Sequence, residues 1–179
     1  MNRLRQVAPP GEQIMQDYII RMVKDADREA VMDIFNFFIE NSFAAYPDKK
    51  ADYSVFDFLR GMSRDGIFYI VQAPAGQVIG FGMLRHHQRA DAFNRSAEVT
   101  YFILPGHQGI GLGKRVLDTL AADARKSGVD TLLANISSLN EQSLKFHRKH
   151  GFSECGRFQR IGSKFDKDFD VVWMQKFLD

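Results

Sequence analysis

The stretch that decides the fold is PGHQGIGLGKRV, residues 105–116, in which glycine occupies every second position from 109 to 113. Glycine loses more conformational freedom on folding than any other residue, so this density indicates unusual backbone angles or a close approach. An apolar strand pattern, SAEVTYFIL (96–104), precedes the loop, and an amphipathic helical pattern follows it. A strand, a glycine loop and a helix can together aim several backbone N–H groups at an anion.

Spacing separates the anions that such a loop could bind. A P-loop requires Gly-x4-Gly-Lys-[Ser/Thr], but position 108 is Gln and Arg115 replaces the hydroxyl. A dinucleotide fingerprint requires G-x-G-x-x-G and an acidic residue at the end of the next strand, whereas that strand ends near Asn135. Both patterns fail, and a role for the glycines in close helix packing stays open.

Composition and charge exclude several classes of protein. The chain has 179 residues, which predicts one domain (18–179) behind a flexible N-terminal leader (1–17). The 24 cations and 22 anions are interspersed, without the clustered basic stripe of a nucleic-acid-binding protein. No apolar run approaches the roughly 20 residues that cross a membrane. The single cysteine excludes an internal disulfide and favours the cytoplasm.

Hydrophobic periodicity predicts the order strand, two helices, three strands, helix, strand, helix, two strands. This order is typical of a mixed α/β sheet with antiparallel hairpins early and one parallel crossover late. The predicted strands are 17–23, 66–72, 77–85, 96–104, 131–136, 152–158 and 169–177. The predicted helices start at Asp25 or Asp27, at about Tyr53, at Leu112, and at Ser138 or Asn140.

Two motifs carry a resemblance to a known family. Residues 108–113, QGIGLG, match [Gln/Arg]-x-x-Gly-x-[Gly/Ala], and NEQSLKFHRKHGF (140–152) matches a second motif on the following helix. From about Tyr18 onward the chain resembles the GNAT N-acetyltransferase superfamily, and most closely its phosphinothricin (methionine sulfoximine) acetyltransferase group. The resemblance implies an α+β acyl-CoA N-acyltransferase fold, with a mixed, mostly antiparallel sheet flanked by helices. It also implies acetyl-CoA as co-substrate, a small-molecule amine as acceptor, and a homodimer.

The same resemblance assigns residues to acetyl-CoA. The strand before the loop would pair with the pantetheine arm, and an N–H near Phe102 would polarise the thioester carbonyl. The loop would surround the pyrophosphate, and Asn140 and Ser143 would bind the pantetheine or, alternatively, only cap their helix. The implied set is Phe102, Ile103, Leu104, Gln108, Gly109, Ile110, Gly111, Leu112, Gly113, Lys114, Asn140 and Ser143.

Acetyl transfer to an amine requires a base, because an alkylammonium cannot attack until it loses a proton. Glu98 occupies the position of the group's proposed general base, and a solvated surface carboxylate is the alternative. His147 occupies the position where many family members place a tyrosine that protonates the departing sulfur. It could equally be a packed core histidine. Histidines 86, 87, 107 and 150 lack the spacing of metal ligands, so we expect no metal.

The acceptor end departs from the group's pattern. Phe165 stands where the group typically has His, Asp168 where it has Trp, and Phe93 begins a less aromatic stretch. With Phe43 and Tyr46 of the first loop, these residues are the implied acceptor site. A carboxylate at position 168 predicts weak turnover of an anionic phosphinate, unless it only solvates a turn. An acetyltransferase of protein or peptide amines, and a catalytically silent acyl-CoA sensor, are alternative functions.

Overall fold

The computed structural model describes residues 17–178. The predicted leader, apart from Asp17, lies outside the described residues. None of the helices in residues 17–178 is long and apolar enough to span a membrane. The strands are β1 (Ile19–Met22), β2 (Ser63–Gln72), β3 (Val78–His86), β4 (Ser96–Ile103), β5 (Thr131–Ser137), β6 (Ser153–Lys164) and β7 (Lys167–Phe177). The helices are α1 (Arg28–Asn41), α2 (Val55–Met62), α3 (Leu112–Lys126) and α4 (Glu141–Lys149), with short 3₁₀ turns at Asp25–Asp27 and Asp91–Phe93.

The seven strands form one sheet in the order β1-β2-β3-β4-β5-β7-β6. All neighbouring strands are antiparallel except β4 and β5, which are joined by the α3 crossover and run parallel. Their register covers only three pairs, Ser96 with Thr131 to Glu98 with Leu133. Beyond Glu98 the two strands separate, and the sheet opens into a fork.

Each face of the sheet has its own core. Helices α3 and α4 cover one face through buried residues such as Val116, Leu120 and Leu144. Helices α1 and α2 cover the β1–β4 half of the other face, where phenylalanines at 56, 68, 81 and 102 pack with Met32.

The predicted fold class and element order are confirmed, and the differences concern element ends. The last two strands are longer than predicted and form a hairpin whose turn, Phe165-Asp166, has positive φ angles of 51° and 57°. Apolar periodicity does not mark this extension, because β6 is exposed along nearly its whole length. Strand β2 likewise begins at Ser63, three residues early. Of the two predicted starts of α4, the structure has Asn140, whose side chain accepts from the Ser143 N–H at 3.2 Å.

Candidate active site

A cavity of about 220 Å³ occupies the fork between β4 and β5. Residues 100–102 of β4 and 134–137 of β5 form its two sides. One end is bordered by the loop that follows α1, and the other reaches the start of α4 at Asn140, Ser143 and His147. The cavity therefore passes from the α1 face of the sheet to the face that carries the glycine loop.

Glu98 lies at the point where the fork begins, and its carboxylate is buried. Its Oε2 accepts from Arg85 Nη2 at 2.5 Å and from Asn135 Nδ2 at 3.1 Å. Its Oε1 contacts His87 Nδ1 at 2.9 Å. Arg85 and Asn135 line the cavity and Glu98 does not, so the carboxylate is one hydrogen bond behind the cavity wall.

The wall on the α1 face is a loop held down by the β6–β7 hairpin. The buried Lys164 ammonium donates to Ser42 O at 3.0 Å and to Ala45 O at 2.6 Å, and burial lowers its pKa. Phe43 and Tyr46 of this loop line the cavity, and Phe43 also packs edge-on against Phe165 at 5.4 Å. Burial raises the pKa of Tyr46 to about 12. The Arg85 charge lowers this pKa and the Glu98 charge raises it, so the Tyr46 hydroxyl is close enough to both groups to interact with their charges.

His147 lies at the other end of the cavity as a buried, fully hydrogen-bonded imidazole. Its Nδ1 is 2.8 Å from Ser143 O, an acceptor, so Nδ1 carries the hydrogen. Its Nε2, 2.7 Å from the Tyr101 hydroxyl, therefore accepts. Burial lowers the pKa of His147 to about 4 and raises that of Tyr101, so His147 is neutral and Tyr101 protonated at neutral pH.

The glycine loop is shaped for an anion at the start of α3. Gly109 and Gly111 have φ angles of 79° and 86°, in the left-handed region that side chains rarely adopt. Gly111 is the N-cap of α3 and offers no side chain to its first N–H groups, and a Cβ at Gly109 would project into open space. Gly113 differs, because a Cβ there would lie 3.2 Å from the Phe146 ring. Gly113 thus permits close packing of α3 on α4, and the other two leave N–H groups open to a phosphate.

The remaining residues implied for acetyl-CoA surround this loop. Gln108 donates to Ile103 O at 3.2 Å and accepts from Gln142 at 2.9 Å, which ties the loop to β4 and to α4. Lys114 pairs with Asp118 on the exposed side of α3. Ile110 and Leu112 pack into the core, and the Leu104 N–H donates to Ile79 O at 2.9 Å. The open edge of β4 beyond Glu98 and the uncapped α3 fit an extended ligand that ends in phosphates, as acyl-CoA does.

Three of the implied acceptor residues, Phe93, Phe165 and Asp168, are not in the cavity wall, and Phe165 reaches it only through its contact with Phe43. Phe93 lies edge-on to His87, with ring centroids 5.9 Å apart. The Asp168 carboxylate is half exposed and pairs with Arg160 at 2.8 Å, which lowers its pKa. This ion pair counts against the prediction that Asp168 repels an anionic acceptor.

Sequence reasoning missed four polar residues of the site: Arg85, His87, Tyr101 and Asn135. Arg85 and Tyr101 lie on strands whose alternation was interpreted only as core, and Asn135 interrupts an apolar strand. A polar residue inside a buried strand is the signal that could have identified Asn135. Groups of three or more metal-ligating side chains are not found within residues 17–178.

Comparison with known proteins identifies the family. Residues 31–152 match the model of the acetyltransferase (GNAT) family. The chain is 29% identical over 161 residues to the L-amino acid N-acyltransferase MnaT of Escherichia coli, covering 89% of this chain and 94% of the relative. It is 28% identical to the phosphinothricin N-acetyltransferase of Alcaligenes faecalis, covering 89% and 82%.

A solved structure shares the fold. It is the yncA protein of Salmonella typhimurium, determined with its cofactor acetyl-CoA, at a TM-score of 0.82 and 27% identity, covering 91% of this chain and 95% of that one. The resemblance inferred from the two motifs is confirmed. The chain belongs to the GNAT acetyltransferase family and is an enzyme of the N-acetyltransferase class.

Proposed function

We propose that this enzyme transfers acetyl directly from acetyl-CoA to the amine of a small, amino-acid-like molecule, with Glu98 supplying the base. The observation that carries the proposal is the cavity through the fork, which connects the face of the glycine loop with the wall behind which Glu98 lies. Relatives that act on L-amino acids and on phosphinothricin support the substrate class.

The acceptor end favours a small molecule over a protein or peptide. The loop held by Lys164 lies across the α1 end of the cavity, and Phe43 and Tyr46 of that loop line it. A peptide acceptor would need an open groove there. The acceptor amine would enter beside Arg85 and Tyr46, where the Glu98 charge favours an ammonium.

Bound acetyl-CoA would supply the thioester, and the chain would bind and polarise it. The residues that would hold it are the open edge of β4 from Phe102 to Leu104 and the loop from Gln108 to Lys114, with Asn140 and Ser143 near the pantetheine. The N–H groups at the start of α3 favour the pyrophosphate charge. Cys155, the single cysteine, is exposed on β6 and does not line the cavity, which supports direct transfer over a cysteine thioester.

We propose that His147 protonates the departing sulfur. Its hydrogen bonds restrict how it can do so. A neutral imidazole that donates to Ser143 O and accepts from Tyr101 has no proton free to give. His147 can therefore protonate the sulfur only if Nε2 leaves its bond to Tyr101 and first takes up a proton, for which the attacking nitrogen is the source. If kcat is unchanged in His147→Gln, the proton passes from the attacking nitrogen to the sulfur without His147.

The test is release of free thiol from acetyl-CoA over a panel of amino acids, methionine sulfoximine, phosphinothricin and a diamine. Turnover of an amino acid or its sulfoximine supports the proposal. Turnover confined to peptide amines favours a protein acetyltransferase, and binding of acetyl-CoA without thiol release favours a silent sensor. Comparing kcat/KM for phosphinothricin between wild type and Asp168→Trp decides whether Asp168 affects the acceptor.

We also propose a homodimer in the cytoplasm. Phe158 and Ile161 are exposed on β6, the edge strand of the sheet, and offer apolar surface to a second copy. Sedimentation equilibrium at micromolar concentration tests the dimer, and Ile161→Lys should weaken it. Fractionation of cells that express the chain tests its location.

A further inference from the structure

One oxygen of the Glu98 carboxylate already accepts two hydrogen bonds. Oε2 accepts both the Arg85 guanidinium, at 2.5 Å, and the Asn135 amide, at 3.1 Å. A proton arriving at Oε2 would have to displace a charge-assisted hydrogen bond in a buried site, which is costly. The other oxygen, Oε1, faces the imidazole of His87 at 2.9 Å.

His87 is held in one tautomer with its other nitrogen available. An ionised carboxylate only accepts, so Nδ1 of His87 carries the hydrogen that faces Glu98, and Nε2 keeps its lone pair. Across residues 17–178, Nε2 has no hydrogen-bond partner. The side chain is 26% exposed, against 10% for Glu98, so the imidazole is the accessible member of the pair.

Two aromatic side chains fix the plane of this imidazole. Trp173 packs edge-on against it at 5.6 Å and Phe93 at 5.9 Å. A histidine whose Nδ1–H is bound by a carboxylate, and whose Nε2 is free, is the arrangement that hydrolases use for a general base. The same arrangement here gives the Glu98 site a nitrogen lone pair, on His87 Nε2, that can accept a proton.

We propose that His87 removes the proton from the acceptor ammonium and that Glu98 is its positioning residue. This inference rests on the acetyl transfer of the proposed function but moves the base from the Glu98 carboxylate to His87 Nε2, which acts on the ammonium through one water. His87 itself does not line the cavity; it is joined to the wall through Glu98, which binds both His87 and the lining residue Arg85. The sequence resemblance implies Phe93 as an acceptor residue, and its contact with His87 would make it part of the site.

The proton count is balanced. The ammonium gives one proton to His87 Nε2, and the resulting imidazolium keeps its Nδ1–H on Glu98. The neutral amine forms the C–N bond as the C–S bond breaks, and the second proton of that nitrogen ends on sulfur. His87 then returns its proton to water, so each turnover yields the amide, the free thiol and one proton.

The kinetic test uses His87→Ala and a matched control, His86→Ala, at the neighbouring exposed position. His87→Ala should lower kcat roughly 10²-fold without changing the affinity for acetyl-CoA, and imidazole added to the buffer should restore part of the rate. His86→Ala should match wild type. Wild-type kcat in His87→Ala, with Glu98→Gln impaired, would assign the base to Glu98 itself and overturn the inference.

A second measurement is independent of turnover. Nitrogen-15 shifts of the histidine side chains should show His87 as the Nδ1–H tautomer in wild type and lose that preference in Glu98→Ala. An Nε2–H tautomer in wild type would overturn the inference. If wild type acetylates an amine and His87→Ala does so equally well, this inference fails and the proposed function stands. If wild type acetylates no amine, the proposed function fails as well.

Discussion

Burial of His147 should make the folded enzyme sensitive to acid. The imidazole is 4% exposed and donates from Nδ1 to Ser143 O, and burial lowers its pKa from the ordinary 6.5 to about 4. Between these values the unfolded chain binds a proton at this position and the folded chain does not. Stability is therefore lost as the pH falls from about 6.5 towards 4.

The size of the loss follows from the shift. Each pH unit between the two values is worth about 1.4 kcal/mol, so the full effect is about 3 kcal/mol, most of it reached by about pH 4.5. His147→Gln removes the titration but keeps an acceptor for Tyr101 and a donor for Ser143 O. The variant should therefore gain about 2–3 kcal/mol relative to wild type between pH 7.5 and pH 4.5.

Urea denaturation at these two pH values measures the difference directly. Carboxylates titrate in both proteins and cancel in the comparison, and His86→Gln, which removes an exposed histidine, should show no relative gain. A difference between wild type and His147→Gln that is the same at both pH values would refute the account of a buried neutral imidazole.

Three further predictions concern the base, the cofactor loop and the cavity wall. Glu98→Gln should lower kcat roughly 10²-fold with acetyl-CoA affinity nearly unchanged, measured by thiol release and calorimetry; near-wild-type activity at pH 9 would contradict a role of Glu98 in proton removal, either as the base or as the residue that positions His87. Acetyl-CoA should raise the Tm of wild type, whereas NAD and ATP should not. Gly61→Ala, the control variant, should keep this shift, and Gly111→Val should lose it because the φ of 86° at Gly111 excludes a branched side chain. An equal shift with NAD would contradict the assignment of the loop to acetyl-CoA. Lys164→Met should lower the free energy of unfolding, measured in urea, by about 2 kcal/mol, because the loop carbonyls at residues 42 and 45 lose their donor. It should also raise KM for the acceptor more than it lowers kcat. Lys167→Met, at an exposed position, is the control, and an equal effect there would contradict a specific role for Lys164.

The sequence predicts the fold well because its signals are local. Alternation, glycine stops and the cap at Asn140 place most elements to within a few residues. The β6–β7 extension was missed because exposed polar strands carry no apolar pattern, and its turn uses two non-glycine residues at positive φ, Phe165 and Asp166.

The candidate site was predicted only where one motif contains both the residue and its role. Gly109, Gly111 and Asn140 belong to such motifs. Arg85, His87 and Asn135 meet Glu98 through strand pairings and a loop that bring together residues 11 to 37 positions apart, which spacing along the chain does not reveal. The ion pair of Asp168 with Arg160 likewise depends on the hairpin register.

The most direct test of the central claim is the product balance of wild-type enzyme with acetyl-CoA and methionine sulfoximine or an L-amino acid. Free thiol and N-acetylated product are measured together by colorimetry and mass spectrometry. The account predicts one N-acetyl product for each thiol released, with no acetyl group retained on the protein. Tight binding of acetyl-CoA without thiol release for any amine of the panel, or a stable acetyl-protein intermediate, would contradict it.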